Sequence, residues 1–355
     1  MSIRHWPVLA AALLMVTGCS FFGSGQRDDW RTHTDMDPAE RAVEATLRDI
    51  DLCGFVDAKS IKAKIPRAIS YGYTEGFDRC TLQLGAFDGG FSSDVSATIG
   101  FDLAPERVEP AVDSLEVNGI AVAHELGPTS NRGWCRYVFN LGAADPAEAP
   151  LRDGAADLMK RVRVSVVASL SRDPGPGDPV YPCAEAVAIA TGAARIRSNQ
   201  LPLKSGWPDP CSLLADLRGF ASYRPGGLGG IQTDLYTCWF SAGPPDDKTA
   251  NGVRLTLRPV DPHGLDTSGY GEDRRTVVEE RDGVRLQVST VTSKYDKPFC
   301  EVFASLGKEY QPTYFSPERA RPEDSRIPGA VLRGTSLCDD ITAAAVAASK
   351  KFGQS

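Results

Sequence analysis

Hydrophobic positions recur along this chain in several rhythms, and each rhythm predicts a different element. Val8 to Val16 (VLAAALLMV) is an unbroken apolar run of nine residues behind the lone Arg4. That length suits the core of an export signal and falls well short of the ~20 residues needed to span a bilayer. Further on, Ala39, Val43, Leu47 and Ile50 recur at helical spacing. Asp37 is placed to cap that helix, Pro38 suits its first position, and Glu40 sits where a reciprocal cap would form. Val95, Ala97 and Ile99, and later Val253, Leu255 and Leu257, alternate with polar neighbours, the period-two signature of half-buried strands. Asn118-Gly119 and Asp282-Gly283 interrupt β-prone runs and predict tight hairpins. Two alanine-rich segments, opening at Cys183 and Cys338 with acids in their first turns, predict helices.

These elements occur twice. Cys53 and Cys80 are 27 apart, as are Cys211 and Cys238, so an offset of 158 superposes the pairs. The same offset lays Asp51-Leu52-Cys53 on Asp209-Pro210-Cys211 and the strand around Ala97 on the strand around Leu255. An offset of 165 then sets the run Trp134–Gly142 against Phe299–Gly307, each with an aromatic before its cysteine and Leu-Gly at its close. The predicted fold class is α+β: a tandem repeat of two disulfide-stapled domains, each an antiparallel sheet with helices on one face. The expected divisions are 1–18, a lipoprotein signal peptide; 19–37, a flexible tether; 38–200, the first domain; and 201–355, the second. The boundary between the domains falls near Ser198–Ser205, whereas the proline-rich stretch 172–182 reads as a long loop.

Composition narrows the possible functions. Of 355 residues, 42% are hydrophobic and 24% charged, which excludes disorder and collagen-like or coiled-coil architectures. The net charge of -7, with no basic run longer than two residues, speaks against a nucleic-acid partner. Val16-Thr17-Gly18-Cys19 resembles a bacterial lipobox. In such signals the cysteine becomes the new N-terminus and carries diacylglycerol, so Cys19 is the expected lipidation site. Two acyl chains anchor stably where one does not. The expected location is the extracytoplasmic face of the cell membrane, reached by lipid rather than by a spanning helix.

The other eight cysteines, in an exported chain, read as an oxidised framework. If each domain closes its own bonds, three pairings remain per domain. The favoured set is Cys53–Cys80, Cys135–Cys183, Cys211–Cys238 and Cys300–Cys338, tying each opening segment to an inner strand and each terminal helix to a strand. No Cys-x-x-Cys pair occurs, which speaks against a metal centre or a redox-catalytic motif.

Catalytic signatures are missing as well. His33 lies in the tether, His124 on one face of a strand and His263 in a turn, none with an evident nucleophile and orienting acid beside it in the sequence. Gly226–Gly230 lacks the third glycine of a dinucleotide fingerprint and reads as a surface loop. Tyr71 and Tyr73 are read as a loop pair, partly buried against the sheet. No enzyme, cofactor or metal is expected.

Asp-Pro-Cys-Ser-Leu-Leu at 209–214, Cys238-Trp239 on a strand, and the cysteine-led final helix resemble actinobacterial lipoproteins of uncharacterised function. They also resemble the related extracellular sensor domains of receptor-type serine/threonine kinases. The second copy matches that pattern better than the first. The resemblance implies a disulfide-bonded module outside the cytoplasmic membrane with a ligand- or wall-sensing role, and it supplies no catalytic residues. The functional expectation is a non-catalytic binding or sensing module for an envelope glycan, lipid or protein, its ligand sought in the cleft between the domains. The alternatives are a hydrolase of envelope polymers and a scaffold that docks a membrane complex.

Overall fold

The structure, a computed structural model, describes residues 38–86, 94–104, 111–125, 133–142, 154–171, 182–204, 208–217, 220–223, 235–242, 252–262, 269–270, 274–292, 298–335 and 338–353. Cys19, His33, Asp37, His263 and Gly226–Gly230 lie outside the described residues. Among the described residues no helix is long and apolar enough to cross a membrane.

The chain builds two eight-stranded antiparallel sheets with helices on their inner faces. In the first half, α1 (Pro38–Arg48), α2 (Ala58–Lys64) and the short strand β1 (Ser70–Gly72) precede β2 (Arg79–Ala86) and β3 (Asp94–Leu103). There follow β4 (Asp113–Val117), β5 (Ile120–Glu125), β6 (Trp134–Asn140), α3 (Ala155–Arg161), β7 (Val162–Leu170) and α4 (Cys183–Asn199). The second half runs β8 (Phe220–Tyr223), β9 (Thr237–Ala242), β10 (Gly252–Val260), β11 (Gly269–Tyr270), β12 (Arg274–Arg281) and β13 (Val284–Val291). It closes with β14 (Phe299–Ser305), β15 (Thr313–Tyr314), β16 (Ile327–Gly334) and α5 (Cys338–Phe352). The sheet orders are β15-β1-β2-β3-β7-β6-β5-β4 and β11-β12-β13-β14-β16-β10-β9-β8.

Local chemistry accounts for these elements. Val95, Ala97 and Ile99 are buried on β3, as are Val253, Leu255 and Leu257 on β10, with polar residues on the opposite face. Asn118 and Gly119 have φ of 51° and 80°, and Asp282 and Gly283 have 53° and 76°, the left-handed pair that a two-residue hairpin turn requires. Asp51 and Asp209 each accept a hydrogen bond from the amide of the cysteine two residues on, which opens the 3-10 turns at Leu52–Phe55 and Pro210–Asp216. Small residues on the inner face of α4 (Ala186, Ala190, Ala193, Ala194) and of α5 (Ala344, Ala345, Ala348) are fully or almost fully buried, so both helices lie close against their sheets.

All four cysteine pairs read from the sequence lie at disulfide distance, each with Cα atoms 5.0 to 5.3 Å apart. The strand register shows what repeat spacing could not. Cys80 pairs across with Ile99, whereas Cys238 pairs with Leu255, so with the cysteines aligned Ile99 answers to Leu255 and not to Leu257. The single offset of 158 is therefore two residues out at β3 and β10. A shift of two leaves every side chain on its own face, and so the hydrophobic pattern alone does not reveal it.

Three further features depart from the sequence reading. Helix α1 ends at Arg48, and Ile50 continues as a bridge to Leu203 while its side chain stays in the core. The expected boundary is consequently pinned: Asp51 N donates to Pro202 O at 3.0 Å, and Lys204 N to Asp49 O at 2.9 Å. Tyr71 belongs to the short strand β1 and not to a loop. Finally, β15, from the second half, pairs with β1 of the first sheet (Ser70 opposite Tyr314, Tyr71 opposite Thr313). The buried apolar residues on the inner faces of both sheets form one continuous cluster, while Phe303 and Val331 make a separate small one on the second sheet.

Candidate functional site

The return of residues 201–204 along Asp49–Asp51 creates a polar junction between the halves. Lys204 Nζ donates to Tyr73 Oη at 3.2 Å and lies 4.4 Å from the Tyr73 ring centroid and 5.6 Å from that of Tyr236. Tyr73 Oη donates to Asp51 Oδ1 at 2.7 Å, and Tyr310 Oη donates to Tyr73 O at 2.6 Å. Burial pushes the Lys204 amine down to about 8, although Asp51, Asp49 and Asp78 pull it upward. Burial also raises the Tyr73, Tyr236 and Tyr310 phenols, so all three stay protonated hydrogen-bond donors. Side chains from both halves are thus locked into one network.

Beside this junction lies a groove of about 310 Å³ between α1 and the 3-10 turn that opens the second half. Arg41, Glu44 and Arg48 form one wall; Asp209, Ser212 and Thr237 lie across it, with Cys211 at the margin. Helical spacing explains the first wall, because residues at i, i+3 and i+7 share a face. Arg48 is fixed by donating to Leu235 O at 3.1 Å and by Glu44 and Asp209 at 3.9 and 3.8 Å. Both carboxylates of the groove therefore lean on one guanidinium. Arg41 is exposed.

The outer face of the second sheet holds a cavity of about 370 Å³ flanked by Phe303, Gln287 and Ile327. It is somewhat larger than the groove but draws on the second half alone. The corresponding face of the first sheet is closed by charge: Asp102 is shared by Arg136 and Arg163, and Arg163 also holds Glu125 at 2.5 Å.

His124 occupies the inner face of β5. Its Nε2 is 3.3 Å from Cys135 Sγ, its Nδ1 is 3.7 Å from Asp113 Oδ1, and its ring stacks on Tyr137 at 4.8 Å and 15°. With Cys183 this brings a histidine and two cysteines together, the grouping among the described residues whose donor atoms all lie within 4.8 Å of one another. Both sulfurs are engaged in the Cys135–Cys183 bond, so the oxidised protein offers no thiolate for a metal. Sequence reasoning missed this cluster because its members are distant along the chain. The alternation placing His124 on the Val122 face was the one available signal.

No protein-family profile, no curated protein and no solved structure matches this chain.

Proposed function

We propose that this chain is a lipid-anchored, extracytoplasmic binding module, built from two copies of one disulfide-stapled unit, that recognises an envelope component in the groove between its halves. The observation that carries this reading is the groove itself. Its volume of about 310 Å³ lies at the lower edge of the range for ligand pockets, and it sets Arg41 opposite Asp209 and Ser212. A ligand with an anionic or acceptor group beside a hydroxyl or amine would satisfy both walls, which fits a glycan, a lipid headgroup or a peptide. The copied unit is supported by the two sheet orders, in which β1-β2-β3-β7-β6-β5-β4 is matched by β8-β9-β10-β16-β14-β13-β12. The lipobox motif at Cys19 supports the anchor, and the resemblance to extracellular sensor domains supports a role without catalysis.

Thermal-shift measurements on the purified soluble chain against fractionated envelope extracts test the binding role. A fraction that raises the melting temperature of the native protein but not of Arg41→Glu supports the groove; no shift with any fraction refutes the reading. Anchoring is tested separately, since Cys19→Ser should release the protein from the membrane pellet.

A further inference from the structure

The sheet registers allow position-by-position comparison of the two terminal disulfides. Cys135 on β6 is bonded to Cys183 at the start of α4, and Cys300 on β14 to Cys338 at the start of α5. In both pairs the strand cysteine is buried and the helix cysteine half-buried. The surroundings differ in one rung. Asp113, His124 and Tyr137 lie opposite one another across β4, β5 and β6. The matching rung across β12, β13 and β14 is Val277, Val288 and Val302. An Asp–His–Tyr rung thus replaces an all-valine one, and its imidazole points at a disulfide sulfur. Packing gives no reason for this exchange, because valine fills the same place in the other sheet.

We propose that Cys135–Cys183 is an exchangeable disulfide that accepts two electrons from an external dithiol, with His124 as the acid that serves its buried sulfur. The attacking thiolate approaches Cys183, the more exposed of the two cysteines. A bond forms between the incoming sulfur and Cys183 Sγ while the Cys135–Cys183 bond breaks, and the electron pair leaves on Cys135. Protonated His124 gives its Nε2 proton to that sulfur, so no buried thiolate is stranded. The second thiol of the dithiol then loses its proton to water and attacks the mixed disulfide, releasing Cys183 as a thiolate that is favoured at the start of a 17-residue helix and regains a proton from water. One external dithiol has become a disulfide, and Cys135 and Cys183 have become thiols. Asp113 acts as a positioning residue that orients the imidazole through Nδ1. No Cys-x-x-Cys is needed, because the fold brings together groups far apart in the chain. This activity is independent of ligand binding in the groove.

The test is partial reduction of the intact protein with dithiothreitol, quenched by alkylation and read by peptide mapping. Cys135 and Cys183 should become labelled at least about tenfold faster than Cys300 and Cys338, and with glutathione the first mixed disulfide should appear on Cys183. Equal rates for the two pairs overturn the proposal. His124→Val, which reproduces the residue of the other sheet, should slow reduction of Cys135–Cys183 about tenfold and leave the other three bonds at their native rates. A merely structural role predicts the opposite sign, because a loosened sheet exposes the bond; an unchanged or faster rate therefore also overturns it. The native-protein comparison of the two pairs stands whether or not the variant folds.

Discussion

The two sheets carry similar connectivity with opposite polarity at matched positions. On the inner face, the rung beside the terminal disulfide is Asp113–His124–Tyr137 in the first sheet and Val277–Val288–Val302 in the second. Four residue pairs further along the same hairpins, on the same face, the sense reverses. Val117 faces Ile120 in the first sheet, while in the second Arg281 faces Val284 and pairs with Glu279 at 2.7 Å. On the outer face, Asp102 and Arg163 are cross-strand partners where the other sheet has Arg258 and Gly329. A Cβ on Gly329 would fall 2.2 Å from Phe303, so an aromatic ring occupies the space that the Arg163 side chain takes in the first sheet. The difference teaches that the scaffold is set by cysteine positions, hairpin turns and small-residue helices. The rungs between them are free to diverge.

The largest expected effect comes from the staples. Cys135→Ala/Cys183→Ala and Cys300→Ala/Cys338→Ala remove bonds separated by 48 and 38 residues in sequence. In the chain-entropy treatment each removal costs about 4 kcal/mol. Chemical denaturation should therefore find the two losses within about 1 kcal/mol of one another, in contrast to the unequal reduction rates proposed above. A much larger loss in one half would show that the matched positions are not energetically matched.

The halves are also asymmetric in what each gives the other. Among the described residues only the second contributes a strand across the junction, and Phe315, which follows it, is buried with its ring 5.2 Å from that of Tyr71. Lys62 donates to Phe315 O at 3.0 Å, and Arg319 donates to Arg67 O at 2.7 Å. Phe315→Ala should cost about 3–4 kcal/mol. Because the contact lies between halves, hydrogen exchange should show weakened protection at β1 as well as around β15. A loss of protection confined to residues 308–326 would mean that the strap is an ornament of the second half.

Much of this architecture was legible in the sequence, for identifiable reasons. The cysteine pairs were readable because equal spacings of 27 residues recur, and the hairpins because Asn-Gly and Asp-Gly suit few other conformations. β7 and β16 were not read, although each is a central strand; VRVSVVASL and IPGAVLRG lack both a cysteine and a flanking turn motif to flag them. β15 was invisible because a two-residue strand has no periodicity at all. The groove was legible only as a location, the cleft between halves. That Arg48 gathers Glu44 and Asp209 depends on where α1 lands, which no local pattern encodes. The same limit hid Lys204, which looks like an ordinary linker lysine until the chain turns back beside Asp49.

A transplant sharpens the comparison of the inner rungs. Val288→His places an imidazole in a site whose cross-strand partners are Val277 and Val302 and should cost about 2 kcal/mol through an unsatisfied polar group. Adding Val277→Asp supplies the partner that Asp113 provides in the first sheet and should recover part of that loss. Urea denaturation of the single and double variants gives the coupling directly. If the second change deepens the loss, the Asp–His arrangement depends on the wider first-half surroundings and not on the rung.

The smallest effect lies at the hairpin tips, where the same task is done by different chemistry. Asn118 Nδ2 donates to Ser198 Oγ at 3.1 Å, fastening the first hairpin to the end of α4. Asp282 Oδ2 meets Lys350 Nζ at 3.2 Å, fastening the second to the end of α5. Both contacts are exposed, so each contributes at most about 0.5–1 kcal/mol. They differ in their response to ionic strength, since screening weakens a charge pair and leaves a neutral hydrogen bond almost untouched. Lys350→Gln should thus lower stability by a few tenths of a kcal/mol in dilute buffer and by nothing measurable in 1 M salt. Ser198→Ala should lose a similar amount under both conditions. Double-mutant cycles with Asp282→Ala and Asn118→Ala isolate each contact from the cost of the left-handed turn residue itself, which is the same in both halves. Equal salt sensitivity of the two tips would mean that neither contact holds its hairpin, and that α4 and α5 are placed by their buried alanines alone.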